Sequence, residues 1–372
     1  MACYIGLMSG TSLDGVDAVL AHDTAGGNAQ VRASAHVSLS MPETLRGELL
    51  ALNQAGANEL HRGALAANAV SELYAEAVAK LLRQAGVTAA DVAAIGAHGQ
   101  TVRHRPQEFD GTGYTLQLIN GALLAERTGI GVVCDFRSRD VAAGGQGAPL
   151  VPAFHAACFA QPGTDVAVLN VGGIANLTLL RADGDVQGFD CGPGNVLMDL
   201  WCRRHRGTAI DAGGAWAAGG RVDAVLLERL LAEPYFGRAP PKSTGRDLFD
   251  AAWLDTRLAA TTASTQDVMA TLVELTARAA VDALRRHAPN TRSLLVCGGG
   301  AYNGHLMSCL AELLGRDSTV RSSADTGLPP EQVEALAFAW LAQAHLARRS
   351  GNLPAVTGAR GPRVLGALYP AR

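Results

Sequence analysis

The sequence predicts an α/β protein of about two domains. Its 372 residues are long for a single core, and 48% hydrophobic with 17% charged residues is the composition of a folded protein. Apolar runs of strand length alternate with segments of helical period, as in α/β folds. A glycine-rich hairpin pattern near residue 10 also recurs near residue 172. This recurrence indicates that the two halves share one design.

Composition excludes several classes of function. The net charge of −3, without long Lys/Arg blocks, offers no basic face to nucleic acid. No segment approaches the ~18 uninterrupted apolar residues of a membrane span, and no secretory leader pattern is present. We therefore expect no membrane partner and a cytoplasmic location. Seven cysteines never form C-x-x-C and ten histidines never form H-E-x-x-H, which predicts reduced thiols and no metal cluster held by protein ligands alone.

The first predicted element is a β-hairpin with a polar tip. Apolar residues at 4–8 and 16–20 flank the sequence SGTSLDG. Such a tip either turns the chain or binds an anion through its N–H and hydroxyl groups. The pattern alone leaves both interpretations open.

The remaining elements alternate along the chain. The first half gives a helix at about 58–84, a strand at 92–96, a helix at about 118–127 and a strand at 130–134. The second half gives a three-strand meander at 166–190, helices at about 266–287, 302–314 and 331–348, and a strand at 293–297. Neither G-x-x-x-x-G-K-[ST] nor G-x-G-x-x-G is present, so a nucleotide would have to be bound in another way.

Eight short motifs are spread over residues 8–342. In order they read MSGTSLDGVD, GAHGQT, DVAAGGQGAPLVP, LNVGGIANLT, GFDCGPGN, PPKSTGRDLF, CGGGAYN and EALAFAWLA. In this set and order the chain resembles the anhydro-N-acetylmuramic acid kinase family, within the superfamily of sugar kinases, heat-shock ATPases and actin. Three positions depart from the family pattern, with Cys191 where Thr is usual, Asp247 where Glu is usual and Asp250 where Asn is usual.

The resemblance implies a two-domain actin-like ATPase fold, which is a duplicated ribonuclease H-like fold with an interdomain cleft. Residues 1–130 and 345–372 would form the N-terminal lobe with the first phosphate hairpin. Residues 131–344 would form the C-terminal lobe with the second phosphate hairpin, the catalytic aspartate and the adenosine loop.

The resemblance also implies how ATP and Mg²⁺ bind. Paired hairpins would bind the phosphates, a glycine-rich strand-to-helix turn would bind adenosine, and Asp14 would reach the metal. The implied nucleotide-binding residues are Ser9, Gly10, Thr11, Ser12, Leu13, Asp14, Gly15, Val16, Asp17, Asn170, Gly172, Gly173, Asn176, Gly298, Gly299, Gly300 and Asn303. Ordinary tight turns and close strand–helix packing are the alternative interpretation of these glycines.

The catalytic base implied by the resemblance is Asp190, which ends a strand before a rigid turn. The alternative is an Asx-turn or helix N-cap, a role that Asn195 could also fill. The sugar would contact His98, Gln100, Thr101, Asp135, Arg137 and Asp140. Arg137 suits a carboxylate because its planar fork binds both oxygens. Any of these six could instead belong to a surface loop or an interdomain salt bridge. Residues 242–246 would form either a mobile loop that closes on ligand or a solvated basic loop.

The implied activity couples two events on an amino sugar. Water would open the 1,6-anhydro ring of anhydro-N-acetylmuramic acid, and O6 would take the γ-phosphoryl group of ATP, giving N-acetylmuramic acid 6-phosphate and ADP in cell-wall recycling. A homodimer is the implied assembly. Two alternatives stay open, namely a simple N-acetylhexosamine kinase without ring opening and a nucleotide-gated actin-like binding protein.

Overall fold

The structure is a computed structural model that describes residues 2–10, 13–23, 31–245, 248–259 and 261–371. The strands are β1 (Cys3–Met8), β2 (Gly15–Asp23), β3 (Val31–Ser40), β4 (Val92–Ala97), β5 (Gln100–Pro106), β6 (Gly113–Leu118), β7 (Val132–Cys134), β8 (Val166–Val171), β9 (Ile174–Leu180), β10 (Val186–Pro193), β11 (Ser293–Cys297), β12 (Thr319–Ser322) and β13 (Ala367–Tyr369). The α-helices are α1 (Glu43–Ala51), α2 (Glu59–Ala85), α3 (Gly121–Thr128), α4 (Ser138–Ala142), α5 (Val151–Phe159), α6 (Val196–Arg206), α7 (Ala215–Ala218), α8 (Ala224–Leu231), α9 (Ala251–Leu258), α10 (Thr265–His287), α11 (Gly304–Leu314), α12 (Val333–Leu346) and α13 (Pro354–Thr357).

The chain divides into two compact units. The first contains residues 1–158 and 331–372, and the second contains residues 159–330. These boundaries differ from the predicted ones at 130 and 345. The reason is pairing and packing within the first unit, because β7 runs parallel to β4 and α12 lies against β1 and β4.

The first unit is built on a sheet in the order β3-β2-β1-β4-β7-β13. Strands β1, β2 and β3 pair antiparallel, while β1, β4 and β7 pair parallel. Side chains of β1 and β4, among them Ile5 and Ile95, pack with Val70 and Tyr74 of α2 in one buried apolar cluster. This long amphipathic helix ends at Gly86 in the left-handed conformation that glycine adopts easily.

The second unit repeats the same sheet order. Its strands run β10-β9-β8-β11-β12, with β8, β9 and β10 antiparallel and β8, β11 and β12 parallel. Leu169, Leu177 and Phe189 pack with residues of α6, α10 and α11 in the second apolar cluster. Two units with one strand order confirm the predicted α/β duplication.

Side-chain caps mark where α10 and α11 of the second unit begin. The Ser264 side chain accepts a hydrogen bond from the Asp267 N–H at the start of α10, and Asn303 accepts one from the Leu306 N–H at the start of α11. Each cap pairs an N–H that the first helical turn leaves without a carbonyl partner. No helix in the described ranges is long and apolar enough to cross a membrane.

Glycine allows α12 to approach the sheet of the first unit. A Cβ on Gly6 would lie 1.8 Å from the Ala335 carbonyl oxygen, and one on Gly96 would lie 2.0 Å from the Phe338 carbonyl oxygen. Both obstacles are helix backbone, which cannot rotate away as a side chain could. Strand–helix packing in this unit therefore requires glycine at both positions.

We predict that Gly6→Ala lowers the free energy of unfolding by about 3 kcal/mol or more, because overpacking against backbone forces the helix to move. Urea unfolding followed by circular dichroism measures the change. Gly47→Ala is the matched control, since a Cβ on Gly47 in α1 meets nothing within 4 Å. The control should stabilise slightly, and equal stability of both variants would contradict the packing argument.

Candidate active site

Asp190 lies in a row of polar residues that crosses three strands of the second unit. The strand register pairs Asp190 of β10 with Asn176 of β9, and Asn176 with Asn170 of β8. Their sequence neighbours Leu169, Leu177 and Phe189 face the apolar cluster. Because side chains alternate along a strand, the three polar residues share the opposite face of the sheet.

Asp190 is 8% exposed, and residues of the segment 235–244 form hydrogen bonds with it. The Thr244 N–H donates to its Oδ2 at 2.9 Å. Its own N–H donates to the Lys242 carbonyl at 3.3 Å, and its carbonyl accepts from the Tyr235 hydroxyl at 2.8 Å. The backbone and the side chain of this residue are therefore both oriented by the segment 235–244.

The helix that follows Asp190 does not use it as a cap. Asn195 occupies the N-cap position of α6, and its side chain makes no cap hydrogen bond. Its Nδ2 instead donates to the Val171 carbonyl at 3.1 Å. The N-cap position of α6 is held by Asn195, and the Asp190 carboxylate accepts a hydrogen bond from the Thr244 N–H, which disfavours the N-cap alternative.

The second glycine tip is joined to the start of α6. The Gly172 carbonyl accepts from the Asn195 N–H at 2.8 Å, and the Gly173 carbonyl accepts from the N–H groups of Gly194 and Val196. A Cβ on Gly194 would lie 2.3 Å from the Gly172 oxygen. The tip is thus a preformed turn. Asn176, just after it, carries a buried Oδ1 without a hydrogen-bond partner within the described part of the chain.

Close packing accounts for two glycines of the Gly298–Gly300 turn. Gly298 has φ +76°, and a Cβ there would lie 2.4 Å from Asn170 Oδ1. A Cβ on Gly300 would lie 2.4 Å from Val171 Cγ1, so this glycine permits close packing. Gly299 is exposed, and a Cβ there would make only an ordinary contact, 3.7 Å from Asn195 Nδ2. Asn303 caps α11.

The first hairpin tip lies at the end of β1, and Thr11 and Ser12 lie outside the described residues. The Ser9 hydroxyl is within 2.9 Å of the Tyr74 hydroxyl and donates to the Gly99 carbonyl at 3.1 Å. Leu13 has φ +58°. The side chains of Leu13 and Val16 belong to the apolar cluster of this unit. Ser9, Leu13 and Val16 therefore shape the tip, and they can offer a ligand only backbone groups.

Two aspartates follow the first tip. Asp14 is exposed, whereas Asp17 accepts a hydrogen bond from His36 Nε2 at 2.9 Å. A Cβ on Gly15 would lie 2.3 Å from the Leu39 carbonyl oxygen, which explains glycine between them. No group of three or more His, Cys, Asp or Glu side chains suited to a metal occurs within the described ranges.

His98, Gln100 and Arg137 lie together in the first unit. Arg137 Nη2 donates to His98 Nε2 at 2.9 Å, and Nη1 donates to the Gly147 carbonyl at 2.8 Å. Burial, followed by the Arg137 charge, holds the pKa of His98 well below its usual range. Gln100 Nε2 donates to the Gly10 carbonyl at 3.2 Å, which connects this cluster with the first tip.

Two buried atoms of this cluster are unsatisfied. His98 Nδ1 and Gln100 Oε1 have no hydrogen-bond partner among the residues that the structure describes. Since Nε2 accepts from Arg137, the proton of the neutral ring is on Nδ1, which makes this atom a donor. A buried donor and a buried acceptor without partners are what a polar ligand would satisfy.

The other three predicted sugar residues have partners within their own unit. Thr101 Oγ1 accepts from Gln117 Nε2 at 3.2 Å. Asp135 is exposed at φ +54°, and its Oδ1 accepts from the Ser138 hydroxyl at 2.5 Å. Asp140 is fully buried, with Oδ2 accepting from the Gly147 N–H and Oδ1 from Asn352 and Thr357. These bonds give Asp140 a structural role that joins distant parts of the chain.

The two departures from the family pattern that the structure describes are accommodated locally. The Cys191 thiol donates to the Ala175 carbonyl at 3.3 Å, and burial, with a smaller effect of the Asp190 charge, raises its pKa to about 12. Asp250 caps α9 by accepting from the Trp253 N–H at 2.7 Å, which an asparagine could also do. Asp247 lies outside the described residues.

Sequence reasoning missed Tyr235 and His104, and it did not predict that Lys242 is buried. Lys242 is only 8% exposed, which neither interpretation of the 242–246 loop anticipated. His104 pairs through Nδ1 with Thr115 Oγ1 at 2.9 Å, and burial, followed by the Arg137 charge, lowers its pKa to about 4. The sequence held one hint that Lys242 is a special position. Of the 31 Lys and Arg residues only two are lysine, so a lysine here is unusual for this chain.

The lowered pKa of His104 predicts loss of stability in acid. At a pH between about 4 and 6.5, His104 is protonated in the unfolded chain but neutral in the folded chain. The stabilisation is therefore complete above pH 6.5, and His104 should reduce the free energy of unfolding by about 2 kcal/mol at pH 5. Urea midpoints at pH 7, 6 and 5 measure the effect.

His104→Asn should weaken this pH dependence, and His61→Asn, at an exposed position on α2, is the matched control. Parallel pH profiles of the wild type and His104→Asn would contradict the argument.

Comparison with known proteins identifies the family. A family model described as anhydro-N-acetylmuramic acid kinase matches residues 2–371. A protein of this name from Bordetella petrii is 62% identical over 372 residues, covering 99% of this chain and 96% of that protein. One from Variovorax paradoxus is 60% identical over 375 residues, covering 99% of both. Among solved structures, the activator of the 2-hydroxyisocaproyl-CoA dehydratase from Clostridium difficile with bound ADPNP covers 93% of this chain and 97% of its own, with a TM-score of 0.46 and 12% identity. The chain belongs to the anhydro-N-acetylmuramic acid kinase family.

Proposed function

We propose that this protein opens the 1,6-anhydro ring of anhydro-N-acetylmuramic acid with water and phosphorylates O6 from ATP, with Asp190 as the general base. The products are N-acetylmuramic acid 6-phosphate and ADP. Family membership over residues 2–371 supports the reaction class. The observation that carries the residue assignment is the Asp190 carboxylate, which lies on the sheet face opposite the apolar cluster and accepts the Thr244 N–H.

The proposed step needs one carboxylate. Asp190 takes a proton from water as the water oxygen bonds to the anomeric carbon, and the bond from that carbon to O6 breaks. O6 bonds to the γ-phosphorus as the bond from phosphorus to the ADP oxygen breaks. An inverting glycosidase requires a second carboxyl group to protonate its leaving group. Here the leaving oxygen is captured by phosphorus, so no such acid is required.

Fixed turns support the nucleotide-binding part of the proposal. The carbonyls of Gly172 and Gly173 are hydrogen-bonded to the start of α6. The backbone of this tip therefore needs little rearrangement to bind a phosphate. Beside it, the partnerless Asn176 Oδ1 is a buried acceptor for a donor from ligand or water. Gly299 is exposed and has no side chain, so a flat ring could approach its backbone. Gly10 and Gly15 would contribute backbone groups from the first tip.

Magnesium fits the same proposal. Mg²⁺ is commonly held by one or two carboxylates together with substrate phosphates and water, so a cluster of protein ligands is not needed. The exposed Asp14 is the carboxylate we assign to it. When bound, the ion neutralises charge on the phosphate oxygens during transfer.

The sugar is assigned to the cluster around His98. The partnerless His98 Nδ1–H and Gln100 Oε1 supply one donor and one acceptor, which suit a hydroxyl or an acetamide group. Arg137 contributes positive charge beside them. We leave Asp140 out of the sugar contacts because both of its oxygens are already hydrogen-bonded within the unit.

Assembly and location complete the proposal. We infer a homodimer that works in the cytoplasm, where fragments of the cell wall are recycled. Size-exclusion chromatography with light scattering tests the dimer. The mass of a monomer at micromolar protein concentration would reject the dimer.

The reaction is tested by mass spectrometry after incubation with Mg·ATP and the anhydro sugar in ¹⁸O-labelled water. We expect a sugar 6-phosphate with one ¹⁸O at the anomeric carbon and equimolar ADP. The open-ring sugar N-acetylmuramic acid is the control substrate, because a simple hydroxyl kinase would phosphorylate it without needing the anhydro bond. ADP release with no sugar phosphate would overturn the proposal.

The base assignment is tested by Asp190→Asn, which keeps the side-chain shape and removes the basic oxygen. We expect kcat to fall by about 10²- to 10⁴-fold while the Kd for ATP, measured by calorimetry, is unchanged. Asp183→Asn is the matched control, since Asp183 is exposed in the turn between β9 and β10, where its side chain accepts the Asp185 N–H. Near-normal turnover of Asp190→Asn would rule out Asp190 as the base.

A further inference from the structure

Lys242 is an unusual residue in this chain. The sequence contains two lysines, Lys80 and Lys242, among 31 basic residues. The side chain of Lys80 is 45% exposed and pairs with Glu76 on α2, as surface lysines commonly do. Lys242 is only 8% exposed. Lysine is rarely buried unless it is paired, so its burial calls for a partner.

Aromatic rings and carbonyl groups surround the Lys242 ammonium. Nζ lies 4.7 Å from the centroid of the Tyr235 ring and 5.7 Å from that of Phe189. It also donates to the carbonyls of Tyr235 and Phe236, at 3.3 and 3.4 Å. A cation over ring faces is stabilised by the ring quadrupole, and more strongly where water is excluded. These contacts fix the position of the chain at residue 242.

The chain at 242–244 is also the part that touches Asp190. The Lys242 carbonyl accepts the Asp190 N–H, and two residues later the Thr244 N–H donates to Asp190 Oδ2. The Tyr235 hydroxyl, on the ring below the ammonium, donates to the Asp190 carbonyl. Lys242, which carries the cation, and Tyr235, whose ring lies against it, therefore each form a hydrogen bond with the backbone of Asp190.

We propose that Lys242 and Tyr235 are positioning residues for the reaction, which fix the segment 242–244 so that the Thr244 N–H orients the Asp190 carboxylate. The inference rests on the proposed role of Asp190 as base. Neither residue needs to touch substrate. A hydrogen bond donated to a carboxylate favours its charged form, which is the form a general base requires. Loss of the ammonium releases the segment and with it this bond.

Several charged or titratable groups lie near the Lys242 ammonium and would influence how kcat depends on pH. Burial lowers the pKa of Lys242; the nearby Cys191 raises it, Arg286 lowers it, Asp190 raises it and Arg238 lowers it. The pKa of His287 is lowered by its own burial and then by Arg286, Lys242 and Arg181. Burial, with the Asp190 charge second, raises the pKa of Tyr235. Lys242 thus lies among charges of both signs, with the Asp190 carboxylate attracting it and Arg286 and Arg238 repelling it.

The test is steady-state kinetics of the full chain with Mg·ATP and the anhydro sugar, measured from pH 5 to 9. Lys242→Met keeps the length of the stem and removes the charge and the donors. We expect kcat to fall about 10- to 100-fold with the KM for ATP unchanged, and the acid limb of kcat to move to higher pH. Lys242→Arg keeps a cation and should retain the acid limb of the wild type. Lys80→Met is the matched control and should behave as wild type.

Tyr235→Phe is the second variant, which covers the case that Lys242→Met does not fold. It keeps the ring and removes one hydrogen bond, so kcat should fall roughly 3- to 10-fold. Wild-type kcat and acid limb in both variants would overturn the inference. So would equal losses in Lys242→Met and Lys242→Arg with an unmoved acid limb, which would make the role purely structural. Because Asp190→Asn tests the base separately, an inactive Asp190→Asn beside a normal Lys242→Met would reject the positioning role alone.

Discussion

The register of three antiparallel strands is the constraint on which the candidate site depends. In β8, β9 and β10 the register places Asn170, Asn176 and Asp190 side by side. Side chains alternate between the faces of a strand, so a slip of one residue in any of the three strands would turn its polar residue toward the apolar cluster and its apolar neighbours away from it. The free energy of burying Leu169, Leu177 and their neighbours therefore also aligns the polar row. Stability and chemistry are specified by one alternating pattern.

Much of this arrangement can be predicted from local sequence. The helix predicted at 58–84 is observed as Glu59–Ala85, and the strand at 92–96 as Val92–Ala97, since long periodic segments and buried runs carry strong signals. The glycine tips and the strand-ending Asp190 are equally local. The duplication was recognisable because hairpins that bury one face repeat the same apolar and polar alternation in both halves.

What local sequence cannot give is the pairing of distant segments. Strand β3 and the β5–β6 pair were not predicted. The alternation of apolar and polar residues in β3 was a signal that sequence reasoning missed, whereas β5 consists mostly of polar and charged residues. Two partners of Asp140, Asn352 and Thr357, are more than 200 residues away, and no spacing rule connects them with it. Lys242 was interpreted as part of a loop since lysine is ordinarily solvated. Only the rings around it, from two other elements, explain its burial.

The position of α12 has a consequence for how the protein is made. Residues 159–330 form one uninterrupted unit, whereas the first unit needs α12 on the strands at Gly6 and Gly96, and β13 beside β7. During translation the second unit can complete its core before α12 has been synthesised. Until then the first unit lacks the helix that packs on its sheet. The apolar surface of β1 and β4 stays uncovered until residues 331–372 have been made, and chaperones can bind it during that time. Vectorial synthesis thus makes the second unit in sequence the first to be finished.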